Sequence, residues 1–222
     1  MERHLDVELK ELHKDILKMS GLVRQAISKS IEALKNRDKV QAQNVINDDS
    51  QIDELELTID EKCIDLIACY QPMATDLRFI ATGMKLNAEL ERIADLAVDM
   101  AQRVLEIADK PILKPLIDIP MLSDIAQKMV RDSIDSFVKK DIALAKQVVA
   151  SDTQADQLRN KICAELLNDY MLRDASTANR AVPLLLIARH LERICDHASN
   201  IAEDIIYMVA GETIKHHHNE LK

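Results

Sequence analysis

Apolar residues recur three and four positions apart along almost the whole chain. Leu5, Leu9, Leu12, Ile16, Met19, Val23, Ala26 and Ser30 form the first such row. This spacing predicts a long amphipathic helix with a heptad-like seam, suited to antiparallel packing. The row stops at Asn36-Arg37-Asp38, where Asp38 reads as an N-cap. A second helix is predicted from about 39 to 70, with Val45, Ile52, Leu55, Ile59, Cys63 and Leu66 on its seam. Pro72 interrupts the pattern, and Thr75 or Asp76 reads as the cap of a third helix. That helix continues through Ile80, Met84, Ile93, Ala97, Ala101, Val104 and Ala108.

Pro111, Pro115 and Pro120 then fall close together near the middle of the chain, in a stretch that cannot be helical inside. Beyond it the helical pattern resumes three times, at about 121–139, 141–170 and 179–209, with a polar loop at 174–179. Pro183 is expected in the first turn of the last helix, where a missing N–H costs little.

The two halves repeat each other. At an offset of 103 residues Ser30-Ile31 matches Ser133-Ile134, Asp38 matches Asp141, and Val45 matches Val148. Asp49 matches Asp152, Asp53 matches Asp156, and Leu55 matches Leu158. After a two-residue length change the offset is 101, and Leu90-Glu91-Arg92-Ile93-Ala94-Asp95 matches Leu191-Glu192-Arg193-Ile194-Cys195-Asp196. Identical charged residues in order, on a shared apolar frame, indicate duplication. The expected fold is all-α: two tandem three-helix bundles related by a pseudo-twofold axis. The first spans 1–110, a Pro-rich linker covers 111–120, the second spans 121–215, and a tail occupies 216–222.

Composition agrees with long helices. Gly 3 and Pro 5 leave few places to turn, and 47% hydrophobic with 2% aromatic residues gives an aliphatic core. A net charge of -9 argues against nucleic acid as a partner, because phosphate contacts need a basic face. No apolar run approaches the roughly 18 residues needed to span a membrane. The first fifteen residues are charged throughout and do not read as a signal peptide. Cys63, Cys69, Cys163 and Cys195 lack metal-type pairing and read as free buried thiols. His216, His217 and His218 read as a solvated tail.

The candidate chemistry is acidic. Glu91 and Asp95 stand one helical turn apart, and Asp99 extends their row. The second copy has Glu192, Asp196 and Asn200. The second helix of each bundle adds a pair, Asp49 with Asp53 and Asp152 with Asp156. Two readings stay open: a solvated acidic face with Arg92 and Arg193 for local pairing, or hard oxygen ligands from two helices gathering a cation. The spacing is wrong for a ferritin-like Glu-x-x-His centre, with His190 and His197 out of register. There is no His-Glu-x-x-His, P-loop or Gly-x-Ser-x-Gly motif, so catalysis is disfavoured and no organic cofactor is expected.

The tandem three-helix repeat, the two Glu-x-x-x-Asp rows and the approach Tyr70-Gln71-Pro72-Met73-Ala74-Thr75-Asp76-Leu77-Arg78 together resemble the PhoU family, from about residue 5 to 215. The resemblance implies a cytoplasmic, non-enzymatic negative regulator of the phosphate-starvation response and of phosphate uptake. It implies an adaptor between PstB, the ATPase of the Pst phosphate transporter, and the sensor kinase PhoR, peripheral to the membrane through these partners. It also implies a homodimer, with iron or zinc, in preference to magnesium or calcium, at Glu91, Asp95, Glu192 and Asp196. Asp49, Asp53, Asp152 and Asp156 are then supporting acids. The departure from equivalence is Asp99 against Asn200. The alternative reading is a metal-binding protein or a metal-dependent phosphohydrolase using the clustered carboxylates.

Overall fold

The computed structural model describes residues 3–211, which contain helices and no strand. The expected tail at 216–222, with His216, His217 and His218, lies outside the described residues. Among those described, seven α-helices carry the architecture. They are α1 (His4–Asn36), α2 (Lys39–Asp48), α3 (Ser50–Tyr70), α4 (Ala74–Ile107), α5 (Asp118–Lys139), α6 (Ile142–Glu165) and α7 (Ala178–Ala210). A π-helical segment, Leu166–Met171, prolongs α6, and a 3-10 turn, Ala175–Thr177, leads into α7. The first bundle is α1, the α2–α3 rod and α4. The second is α5, α6 with its π-helical end, and α7.

The predicted seams are the buried faces. Leu5, Leu12, Ile16, Met19, Val23 and Ser30 of α1 are buried, as are Val45, Ile52, Leu55, Ile59, Cys63 and Leu66 of the rod. Ser30 donates its hydroxyl to the carbonyls of Ala26 at 2.9 Å and Ala97 at 2.8 Å, so this polar seam residue ties α1 to α4. The turn between the first two helices is built the same way twice. Arg37 and Lys140 adopt left-handed backbones at the ends of α1 and α5 (φ 56° and 52°). Asp38 then accepts the Gln41 N–H at 3.0 Å, and Asp141 accepts the Leu144 N–H at 3.0 Å. An N-cap of this kind contributes about 1 kcal/mol.

Several boundaries differ from the sequence reading. The helix expected over 39–70 is split, because α2 ends at Asp48 and α3 begins at Ser50. The Ser50 hydroxyl bonds the Asn47 carbonyl at 3.3 Å, and the Ile52 N–H tightens onto the Asp49 carbonyl at 2.7 Å. A serine competing locally for a backbone carbonyl bends a helix without Gly or Pro. Neither Thr75 nor Asp76 caps α4. Met73 holds that position without a side-chain bond, and Asp76 in the first turn meets Arg3 at 3.2 Å. The linker is shorter than drawn, since α5 starts at Asp118 and takes Pro120 into its first turn. Cys63 and Cys195 are buried, but Cys69 is exposed and Cys163 half-buried.

Pro183 lies inside α7, one turn deeper than expected. A proline there leaves the carbonyl four residues earlier without its helical donor. That carbonyl belongs to Asn179, and Lys110 Nζ donates to it at 2.9 Å. The residue just before the linker thus replaces the bond that Pro183 removes.

The halves share one core. α4 and α7 run antiparallel and in contact, with buried residues from both bundles forming a single cluster. The chain has two phenylalanines. Both stack here, Phe79 on Phe137 at 5.1 Å, with His13 5.5 Å from Phe137, so α1, α4 and α5 meet across the divide. No described helix is long and apolar enough to cross a membrane.

Candidate functional site

The acidic rows line the groove between the second-helix rod and the last helix of each bundle. In the first bundle α4 presents Glu91, Asp95 and Asp99, while Asp49, Asp53 and Glu56 come from the rod. Their mutual proximity is registered in their acidities. Burial first, then Asp53 and Asp95, push the Asp49 carboxyl up to about 6. Burial raises Glu91, with Asp95, Glu56 and Asp53 adding to it, and Arg92 offsetting part. Asp95 is raised by burial, Asp53 and Asp99, against a hydrogen bond with Glu91. Glu56 is raised by burial, Asp60 and Asp53. In each case burial is the larger cause and the neighbouring carboxylates add to it, with little counter-charge to offset them. Arg92 does little to relieve it, for its guanidinium stands 3.6 Å from Glu89 instead.

The second bundle brings together Asp152, Asp156, Glu192 and Asp196. Burial, Glu192, Asp152 and Asp156 push the Asp196 carboxyl up to about 6. Here, however, a cation from α6 enters the groove. Arg159 Nη2 lies 2.8 Å from Glu192 Oε1 and 3.3 Å from Asp156 Oδ1. Beneath the row, burial and these same acids push the Cys195 thiol upward, so it stays protonated.

Asn200 does not extend the second row as Asp99 extends the first. Its Nδ2 reaches across to Glu89 Oε2 at 3.5 Å, while Asp99 Oδ2 stands 3.8 Å from His190 Nδ1. These two contacts exchange under the repeat, since Asp99 corresponds to Asn200 and Glu89 to His190. The pair therefore belongs to the α4–α7 seam. His197 Nδ1 adds a 2.5 Å contact to Glu89, and Lys85 Nζ reaches Asp204 at 2.9 Å. The His197 and Asn200 partners hold the Glu89 carboxyl below its ordinary value despite its burial. His190 is pushed down by burial.

Sequence reasoning missed Glu56, Arg159 and Glu89. A signal existed for the first two: at the offset of 103 Glu56 stands opposite Arg159, a reversal of charge beside the matched pairs Asp49 with Asp152 and Asp53 with Asp156. Glu89 has no such signal, because its partners are set by the α4–α7 register.

The fit of a metal ion differs between the rows. The first offers hard oxygen donors in uncompensated negative surroundings, which suits a hard or borderline cation in chemistry. Among the described residues no three His, Cys, Asp or Glu side chains are drawn together as the ligands of one ion. The second row already contains a guanidinium between the carboxylates of its two helices and does not fit one.

Comparison with known proteins places this architecture. The PhoU domain family model matches the chain twice, over residues 16–104 and 119–205. The chain is 43% identical over 211 residues to the phosphate-specific transport system accessory protein PhoU homolog of Aquifex aeolicus, covering 95% of each. It is 34% identical to the phosphate-specific transport system accessory protein PhoU of Escherichia coli, over 95% of this chain and 87% of that one. The crystal structure of PhoU from Pseudomonas aeruginosa superposes with a TM-score of 0.90 at 34% identity, covering 94% of this chain and 100% of that one. PhoU from Streptococcus pneumoniae, a phosphate transport system regulatory protein, gives 0.88 at 29% identity, covering 94% and 98%.

Proposed function

The chain belongs to the PhoU family, and from that premise we propose that it is a negative regulator of the phosphate-starvation response and of phosphate uptake. It acts in the cytoplasm as an adaptor, docking on the PstB ATPase of the phosphate transporter and on the PhoR sensor kinase. The observation that carries this reading is the double PhoU match across both bundles, joined to relatives named as accessory proteins of phosphate-specific transport. The form of the molecule suits an adaptor. Its helices are long, with polar outer faces that offer extended surfaces to other helical proteins.

Phosphate status reaches such an adaptor through the conformation of the transporter. A chain of net charge -9 repels free phosphate, and its clustered side chains are carboxylates.

Deleting the gene should leave phosphate-starvation genes expressed in phosphate-rich medium, and the purified protein should bind PstB or the cytoplasmic region of PhoR. Normal repression in the deletion strain, with neither partner bound at low or high phosphate, would sink the reading. Hydrolysis of polyphosphate, nucleotides or simple esters that disappears on Glu91→Gln and Glu192→Gln would favour a phosphohydrolase instead.

A further inference from the structure

We propose that Arg159 is the resident cation of the second acidic row and keeps a divalent metal ion out of it, so that two rows duplicated in sequence are unequal in cation binding. The inference concerns this chain's own residues and does not depend on which partners the protein docks.

The geometry is specific. A metal ion joining the two helices of this bundle would draw on carboxylates from both α6 and α7. Arg159 already makes that junction: one guanidinium nitrogen lies 2.8 Å from Glu192 of α7 and 3.3 Å from Asp156 of α6. Glu192 retains 15% and Arg159 29% of side-chain exposure, so the Glu192 contact is shielded, while Asp156, at 48%, closes its solvent edge. An ion bound to the same Glu192 oxygen, about 2 Å from it, would stand within roughly 5 Å of a fixed positive charge. Arginine cannot deprotonate to relieve that repulsion. The ion would have to displace the guanidinium and leave it half-buried without its partners.

The duplication supplies an internal control. The position equivalent to Arg159 is Glu56, so the same fold, with Asp53, Glu91 and Asp95 matching Asp156, Glu192 and Asp196, exists in this chain with the charge reversed. In that copy the neighbouring arginine of the row, Arg92, turns to Glu89 and not into the groove. The inequality between the rows is therefore centred on Glu56 and Arg159, and Asp60 against Cys163 adds to it one turn further along. The difference between Asp99 and Asn200 serves the seam between the bundles.

The test uses the full-length protein, stripped of metal and then titrated with zinc(II) or, anaerobically, with iron(II). Bound metal is measured after gel filtration. Glu192→Gln with Asp196→Asn should leave uptake of the wild-type chain unchanged. Arg159→Glu, which installs the residue of the first copy, should add about one ion per chain, and Asp196→Asn in that background should remove it again. The C-terminal histidines are common to every variant and cancel in the comparison. Arg159→Gln removes the charge with little change of shape, and it serves if circular dichroism shows that Arg159→Glu does not fold. Loss of wild-type uptake on Glu192→Gln would overturn the proposal. So would folded Arg159→Glu and Arg159→Gln proteins that bind no more metal than the wild type.

Discussion

Asp49 shows how opposing effects are weighed at a single residue. It is the junction residue between α2 and α3, so the opposed dipole ends of the two helices largely cancel at its carboxyl. Its carboxyl is pushed up to about 6, by burial first and then by Asp53 and Asp95. The consequence for stability has a definite sign. The folded pKa lies above the unfolded value of 3.8, so the native state holds this proton more tightly. The stabilisation is complete below the unfolded value and is lost as pH rises through about 6. At pH 7.5 the ionised group is repelled by its neighbours. Asp49→Asn should therefore stabilise at pH 7.5 by roughly 0.5 kcal/mol. For a chain of this length that is about 1–2 °C in Tm. Near pH 4.5 the gain should shrink to a minor part of this, because Asp49 is then largely protonated in the folded state, and it should vanish only below the unfolded value of 3.8. Thermal melts at the two pH values decide it, and a gain that is equal at both, or larger in acid, would refute the account.

At the scale of elements, the helices were legible wherever local chemistry alone determines them. The seam of α1, the paired turns at Asp38 and Asp141, and the proline boundary all follow from side-chain period and backbone restriction. What was hidden depended on contacts between elements. Nothing near Asp49 announces a bend, since the Ser50 hydroxyl acts without Gly or Pro. Pro183 was misplaced by a turn because a proline inside a helix looks forbidden until its repair is visible. The repair comes from Lys110, sixty-nine residues before the Asn179 carbonyl it bonds. This arrangement predicts a coupling. Lys110→Ala should cost about 0.5 kcal/mol, since the bond is exposed and water can take up part of the Asn179 carbonyl's lost donor. In a Pro183→Ala background the helix supplies its own N–H at that point, and the cost should shrink measurably. A double-mutant cycle in denaturant isolates the term. Equal costs in both backgrounds would mean that Lys110 and Pro183 are unrelated.

For the whole molecule the question is why one bundle binds the other and not a second copy of itself. The two bundles are alike in fold, and the α4–α7 contact sits on the pseudo-twofold axis, so two α4 helices could in principle dock in the same way. The polar residues along the seam oppose this. In the native pair Glu89 meets His197 at 2.5 Å and Asn200 at 3.5 Å, while Asp99 meets His190 at 3.8 Å. If α4 met another α4 in this register, Glu89 would replace His190 opposite Asp99, and Asp99 would replace Asn200 opposite Glu89. Two carboxylates would then face each other on both sides of the axis, and Leu96 would stand where His197 now meets Glu89. Like charges juxtaposed at an interface select against the wrong partner. The candidate acids could be read from the repeat, but this selectivity could not, because it resides in a register that only the folded pair defines. Separately produced polypeptides 1–110 and 111–215, when mixed or co-expressed, should form a one-to-one complex whose mass is measurable by light scattering. The 1–110 piece alone should self-associate poorly at pH 7.5, and Asp99→Asn with Glu89→Gln should improve it. A stable 1–110 homodimer that forms without those substitutions and resists exchange with 111–215 would show that the seam charges do not direct the pairing.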